Sequence, residues 1–243
     1  MIEVEGLAKR FGAVVALDGI DFTAQPGEVT GFLGKNGAGK TTTMRILATL
    51  MQPSAGRARV AGHDVVAEPE AVRRSIGLLT EEPGLYDRMT PREQLAFFGS
   101  TYDLPRTRVS ERIEHLAEAL AFTEFLDVRA GTLSKGNRQK VAVARALVHD
   151  PPVLLLDEPT AALDVVAAHA MEEFMASDAV RGKTVLLSTH IVEEAARLCA
   201  RIVVIGHGRV VASGTTTDLA GGRRANLRRR LLTLMGADAE AAS

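Results

Sequence analysis

Val29-Thr30-Gly31-Phe32-Leu33-Gly34-Lys35-Asn36-Gly37-Ala38-Gly39-Lys40-Thr41-Thr42 runs from an apolar strand, through closely spaced glycines, into a lysine and two threonines. Gly34 to Thr41 matches the phosphate-binding loop pattern. Its context agrees, because the strand 29–33 precedes it and Met44, Ile46, Leu47 and Leu50 give residues 39–50 an apolar helical face. Glycines let main-chain amides converge on phosphate oxygens, and the helix start adds positive potential. Lys40 supplies a point charge, and the Thr41 hydroxyl can ligate Mg²⁺.

On the amino-terminal side, short β-rich segments at 2–4, 14–17 and 20–23 lead to a Pro26-Gly27 turn. On the carboxyl side, strands are expected at 57–60 and 76–79, bracketing a charged helical segment. Residues 90–149 then read as almost wholly helical. Thr90-Pro91-Arg92-Glu93 has capping-box form with proline at the first helical position, which predicts a helix to about Tyr102, and a further helix is expected over 136–148. Strands at 153–156, 184–188 and 202–205 alternate with helices at 165–177 and 191–199. Buried strands alternating with helices predict a mostly parallel α/β sheet, with the helical middle inserted between its two halves.

Composition narrows the function. The 243 residues carry 29 basic and 30 acidic side chains, a formal net charge of −1, so no global field attracts nucleic acid or anionic lipid. With 46% hydrophobic and 24% charged residues the chain has the balance of a globular protein. The single cysteine, Cys199, excludes an intrachain disulfide and any cysteine-cluster metal site. The longest run without Asp, Glu, Lys or Arg is 46–56, well short of the roughly 20 apolar residues of a spanning helix. The start MIEVEGLAKRFG has acids where a signal peptide is basic and then apolar, so cytoplasmic residence is expected.

A second chemical feature is Val153-Leu154-Leu155-Leu156-Asp157-Glu158, an apolar strand ending in two carboxylates. Alone, these acids read equally well as a solvated strand end. Beside a phosphate loop, Asp157 is expected to hold the Mg²⁺ hydration shell. Glu158 is expected to orient or deprotonate the water attacking a γ-phosphate, a role contributing about 10² to 10⁴ in rate. The strand 184–188 delivers Thr189 and His190 to the same sheet edge, although a histidine after a strand is, taken singly, more often structural.

In order along the chain, the phosphate loop, Leu133-Ser134-Lys135-Gly136-Asn137, Asp157-Glu158, Ala161-Ala162-Leu163-Asp164 and Ser188-Thr189-His190 resemble the motif series of the ATP-binding cassette (ABC) ATPases, the motor subunits of ABC transporters. The resemblance covers roughly residues 2–220. It implies a P-loop NTPase fold with a mostly parallel sheet core, an N-terminal antiparallel β subdomain and a helical subdomain inserted at about 83–149. Residues 1–220 would be the ABC ATPase domain and 221–243 a basic, partly disordered tail.

For the site, the resemblance implies that Phe11 stacks on adenine and that Gly34, Lys35, Asn36, Gly37, Ala38, Gly39, Lys40, Thr41 and Thr42 hold the triphosphate of ATP. Thr41, Glu81 and Asp157 would surround Mg²⁺, with Glu158 as catalytic carboxylate and His190 as γ-phosphate sensor. Ser134, Lys135, Gly136 and Asn137 would contact nucleotide on a second ABC ATPase subunit, identical or different, and Asp164 would communicate across that interface. The working unit would be a dimer closing over two ATP molecules on the inner face of the cell membrane. Its helical subdomain would present a groove to a separately encoded integral membrane permease. Leu85, Tyr86, Met89, Phe97, Phe98 and Tyr102 are candidates for that docking or for subdomain core.

Four positions depart from the family pattern. Glu81 stands where most members have glutamine; a carboxylate can still ligate Mg²⁺ but adds negative charge beside the phosphates. Lys135 and Asn137 replace the usual glycine and glutamine of the signature, and Lys135 either approaches the opposing γ-phosphate or points to solvent. Ala161 replaces a serine or glycine. The segment 80–90 and Ser134-Lys135-Gly136-Asn137-Arg138-Gln139-Lys140 together resemble the bacterial branch of sodium, drug and antibiotic export ATPases. Arg223, Arg224, Arg228, Arg229 and Arg230 read as a solvated helix face or as a lipid-headgroup contact. Two rival readings are a soluble ABC ATPase acting on a protein or ribosome assembly and a phosphate-loop kinase. No nucleic-acid partner is expected, and the kinase leaves the signature loop without a role.

Overall fold

Apolar residues in the first two strands are spaced by two, with one step of three in each. In β1 (Ile2–Phe11) the buried positions are Ile2, Val4 and Leu7, and in β2 (Val14–Ala24) they are Leu17, Ile20, Phe22 and Ala24. The longer step falls where the antiparallel register shifts, between the pairs Val4↔Phe22, Leu7↔Ile20 and Lys9↔Leu17. Gly6 and Gly19 sit at these bulges with φ of +54° and +72°. A bulge adds one residue and re-aims the side chains after it, which keeps both apolar sets facing inward. The segments expected separately at 14–17 and 20–23 are therefore one strand, broken in pattern but not in pairing.

The computed structural model describes residues 1–82, 84–161, 163, 165–177, 180–222 and 226–237. β1 and β2 join β4 (Ala55–Val60) and β5 (His63–Asp64) in an antiparallel sheet of order β2-β1-β4-β5. A second sheet holds β3 (Val29–Leu33), β6 (Ile76–Leu79), β7 (Val153–Asp157), β8 (Thr184–Thr189), β9 (Arg201–Gly206) and β10 (Arg209–Thr215), in the order β10-β9-β3-β8-β7-β6. Its β3, β6, β7, β8 and β9 pair in parallel, and β10 closes one edge antiparallel.

Both faces of the parallel sheet are covered, which is why its strands read as unbroken apolar runs. Val153, Leu155, Leu186, Val203 and Ile205 pack towards the antiparallel sheet and α1 (Lys40–Leu47). Leu154, Leu156, Val185, Leu187 and Val204 pack towards a helical layer of α3 (Pro91–Ser100), α4 (Arg106–Ala119), α5 (Lys135–Leu147), α6 (Val165–Met175) and α7 (Val192–Leu198). α2 (Pro69–Ser75) leads into β6. The capping box at Thr90 is formed, with Glu93 N donating to Thr90 Oγ1 at 3.2 Å and Thr90 N donating to Glu93 Oε2 at 2.8 Å. α1 ends at Leu47 rather than at 50, because Thr49 adopts a left-handed φ of +60° that a helix cannot continue through.

The largest difference from the sequence reading lies at the carboxyl end. After α8 (Thr216–Leu219), α9 (Leu227–Ala237) occupies much of the stretch expected as a basic tail. Leu227, Leu231 and Met235, spaced by four, are buried in the same core as the helical layer, a burial each contributing about 2 kcal/mol. Arg228, on the outer face, pairs with Glu193 at 2.5 Å. The arginine run at 228–230 interrupts this apolar stripe in the sequence. Arg223, Arg224 and residues 238–243 lie outside the described residues.

His149 sits where the helical layer meets β6. Its ring stacks on Tyr102 with centroids 3.7 Å apart, and Nε2 donates to the Ile76 carbonyl at 2.9 Å. Nδ1 is buried without a partner among the described residues. Burial, reinforced by the nearby Lys183 and Arg112 charges against the Ile76 contact, pushes the imidazole down to about 4. An unfolded histidine titrates near ~6.5, so the unfolded chain binds the extra proton first. His149 therefore contributes its full stability above about pH 6.5 and loses it as pH falls towards 4. In urea unfolding at about pH 7.5 and about pH 5, the wild type should lose about 2 kcal/mol more than His149→Phe. Equal losses would mean that the folded imidazole takes up its proton over the same pH range as the unfolded one.

Candidate nucleotide site

Register brings the chemistry to one sheet edge. Leu33 pairs with Thr189 and Asp157 with Ser188, so β3, β7 and β8 end together and their following residues face a common space. Gly34 N donates to Thr189 O at 3.2 Å, which joins the phosphate loop to the turn bearing His190. Gly39, with φ of +111°, leads into α1, and a Cβ there would stand 2.7 Å from Leu17 Cδ2 and 2.9 Å from Ala16 O. Only glycine fits between that backbone conformation and that contact.

Lys40 is 5% exposed, and its ammonium is fully occupied. Nζ donates to Gly34 O at 2.8 Å and Lys35 O at 3.2 Å, and it pairs with Glu158 Oε1 at 3.1 Å. The other Glu158 oxygen accepts from His190 Nδ1 at 2.8 Å. Asp157 Oδ1 accepts from the Ser188 hydroxyl. Glu158 has a left-handed φ of +52°, and its N–H donates to Ser188 O at 3.1 Å. Lys40, Glu158 and His190 thus form one hydrogen-bonded chain along the wall of a cavity.

That cavity, of about 370 Å³, is lined by Ala16, Asn36, Gly37, Gly39, Lys40, Thr41, Thr42, Glu81, Glu158, Ala161 and His190. A second, of about 550 Å³, shares Thr41 and Glu81 and adds Asp157 to its wall. The structure therefore brings together most of the expected phosphate-loop residues, both carboxylates, Glu81 and His190. Ser134 caps α5, its hydroxyl accepting from Asn137 N at 3.3 Å, and neither the cap nor the first turn of the helix, Lys135 to Asn137, lines either cavity. Phe11 also stands outside both linings, with a half-exposed ring and Lys9 Nζ 5.1 Å from its centroid. Asp164 lies outside the described residues.

The arrangement fits a phosphate chain with a hydrated divalent ion. α1 has no side-chain cap and no acid in its first turn, so its amino-terminal amides are left for an anion. Thr41, Glu81 and Asp157 place side chains with oxygen atoms on one cavity wall. Among the described residues no three His, Cys, Asp or Glu groups could hold a metal by themselves. Oxygen sites completed by water and substrate phosphate are the habit of Mg²⁺.

Some site residues had only a weak signal in the sequence. Ala16 reaches the cavity wall through the β2 register alone. The Ser188 contact to Asp157 depends on the neighbouring strand positions. Gln139, buried in α5, donates from Nε2 to Pro159 O at 2.8 Å and so ties the helical layer to the turn after Glu158.

The phosphate loop and the strand-end carboxylates lie within residues 17–161, which match the family model described as ABC transporter. The chain belongs to the ABC transporter family. It is 42% identical over 224 residues to the ABC transporter ATP-binding protein NatA of Bacillus subtilis (strain 168), covering 90% of this chain and 91% of NatA. Identity is 40% to the Nod factor export ATP-binding protein I of Rhizobium sp. (strain N33), over 88% of this chain and 70% of that protein. Of solved structures, an ATP-binding subunit of an ABC transporter superposes with a TM-score of 0.87 at 33% identity, covering 96% of this chain and 99% of that one. The dimeric bacterial ABC transporter cassette MJ0796 gives 0.79 at 26% identity, covering 88% and 98%. This ABC protein is accordingly an ATP-binding subunit whose relatives include export proteins, and its α/β fold with an antiparallel amino-terminal sheet is that of the ABC ATPases.

Proposed function

We propose that this subunit hydrolyses MgATP as one half of a dimer and drives a separately encoded membrane permease in the export direction. The observation carrying the reading is the buried Lys40–Glu158 pair, continued by the more exposed His190, on the wall of the phosphate-loop cavity. Lys40 exchanges its Glu158 partner for phosphate oxygens when nucleotide binds. Glu158, released from the ammonium but still beside His190, is then available to orient and deprotonate water, while His190 donates towards the γ-phosphate. Bound Mg²⁺ supplies charge neutralisation, with Thr41, Asp157 and Glu81 as its protein oxygens. Glu81 raises the negative charge at this spot and so strengthens the dependence on metal.

Dimerisation is supported by the position of Ser134, Lys135, Gly136 and Asn137 away from the cavity of their own chain, which leaves them for a site on another subunit. Gly136 packs closely under α6, where an added Cβ would stand 3.1 Å from Ala167 Cβ. Asp164 belongs to the same interface in this reading.

The permease is supported by an apolar hollow of about 320 Å³ lined by Leu50, Leu78, Phe98, Tyr102, Arg145 and His149 among others, beside the exposed rings of Tyr86 and Phe97. Leu85, by contrast, is buried and serves the subdomain core. No helix among the described residues is long and apolar enough to cross a membrane. We place the subunit on the cytoplasmic face of the membrane, held there by its partner. Tagging the chain, solubilising host membranes in mild detergent and identifying stoichiometric partners by mass spectrometry should recover a multi-spanning protein. Recovery of ribosomes or a soluble complex instead would retain the ATPase and remove the transporter assignment.

A further inference from the structure

Glu158 carries a backbone conformation costing about 1–3 kcal/mol for a residue with a side chain, and such strain persists only where the surroundings over-determine it. Two braces are already described, Ser188 O on its amide and Gln139 on Pro159 O. A third comes from below. Thr160, two residues on, is buried, and its hydroxyl donates to Glu194 Oε1 at 2.8 Å. Glu194 belongs to α7 and is only 2% exposed.

The same carboxyl faces the Thr189 hydroxyl, whose oxygen accepts from Ile191 N at 2.9 Å. Thr189 immediately precedes His190. One buried carboxyl thus accepts from the turn after Glu158 and lies near Thr189, which precedes His190. Its surroundings give it little else to do. Oε2 has no hydrogen-bond partner among the described residues, and the charged groups acting on it are the carboxylates Glu158 and Glu172. Arg197, the nearby cation on α7, is engaged by Glu172. Burial and these like charges push the Glu194 carboxyl up, against the threonine contacts. A buried polar group with an unpaired oxygen is costly, and an apolar side chain would fill the space without that penalty.

We propose that Glu194 is a positioning residue for hydrolysis, bracing Thr160 against Thr189 so that Glu158 and His190 stay in register. The inference rests on the reading of Glu158 and His190 as the groups facing the γ-phosphate. Glu194 lines neither cavity. Its removal changes how often the pair is aligned, not how tightly phosphate is held.

The test uses the full chain and compares ATP turnover, affinity for a fluorescent ATP analogue and thermal unfolding in Glu194→Ala, Glu194→Gln, Thr160→Val and Glu158→Gln. Glu194→Ala should lower kcat by about tenfold with KM and nucleotide affinity within about twofold. Glu194→Gln keeps an acceptor for Thr160 and should recover most of that loss. Thr160→Val, which deletes only the donor, should lower kcat by about threefold to tenfold with affinity unchanged, and it decides the matter where Glu194→Ala does not fold. If Glu158→Gln slows hydrolysis while Glu194→Ala and Thr160→Val leave kcat alone, the brace is wrong and the site reading survives. If Glu158→Gln leaves turnover unchanged, the underlying site reading fails. A parallel fall of kcat, affinity and melting temperature in both Glu194 variants would make the residue merely structural.

Discussion

Lys40→Ala should reduce ATP turnover by at least about 10²-fold and weaken nucleotide binding, because one ammonium serves three purposes here. It holds the loop closed through Gly34 O and Lys35 O, neutralises Glu158, and faces the cavity in which phosphate is expected. Truncation leaves the Glu158 carboxylate buried with His190 alone. Removing one member of a buried pair can cost about 3–5 kcal/mol, reduced where a cavity admits water. Thermal unfolding should therefore show a lower midpoint in the empty protein, with circular dichroism unchanged at 20 °C or so. Nucleotide should no longer raise that midpoint, whereas it should for the wild type. Wild-type turnover in a folded Lys40→Ala protein would remove the phosphate-loop assignment.

Much of this site was legible because its parts are local. Gly34 to Thr41 specify a strand, a turn and a helix start within one stretch, and Asp157-Glu158 end an apolar strand that can only be buried on both faces. Parallel order was also legible, since strands alternating with helices leave few other arrangements. What could not be read depends on register or on long-range packing. The bulges at Gly6 and Gly19 interrupt the two-residue period and made one strand look like two. β5 is only His63–Asp64, too short to show a period, and β10 is an edge strand with alternating exposure rather than an apolar run.

The helix α9 shows how composition can mask pattern. Arg228, Arg229 and Arg230 sit between Leu227 and Leu231, so a charge-based reading sees a basic tail, whereas a three-dimensional one sees a buried stripe with arginines outside. The site has the same property at Glu194. On sequence alone it is one of two adjacent glutamates in an amphipathic helix, and nothing local separates exposed Glu193, paired with Arg228, from Glu194, which points inward to Thr160. Side chains that act through tertiary contact carry no sequence mark of their own.

Glu158→Gln separates binding from chemistry more sharply than any other change. Glutamine keeps the shape of glutamate, and its one oxygen can still accept from Lys40 Nζ, while its NH2 can meet His190 Nδ1 only as a donor to an unprotonated nitrogen; its amide cannot take a proton from water. Hydrolysis should fall by about 10² to 10⁴. Binding should move the other way. In the nucleotide-free chain the Glu158 carboxylate competes with phosphate for Lys40, at 3.1 Å and in a buried setting. Removing that competing charge should tighten ATP affinity, measured by fluorescence titration, by a few-fold or about 1 kcal/mol. Slow turnover and tight binding together should hold two subunits closed, so light scattering after sizing should show a shift from monomer to dimer only with MgATP. Slow turnover with affinity unchanged would mean that Lys40 releases Glu158 at no cost. A strict monomer at saturating MgATP would indicate that closure needs a different second subunit or the permease. Turnover equal to the wild type would transfer the role of base to another group and reduce Glu158 to the counter-ion that its contact with Lys40 already makes it.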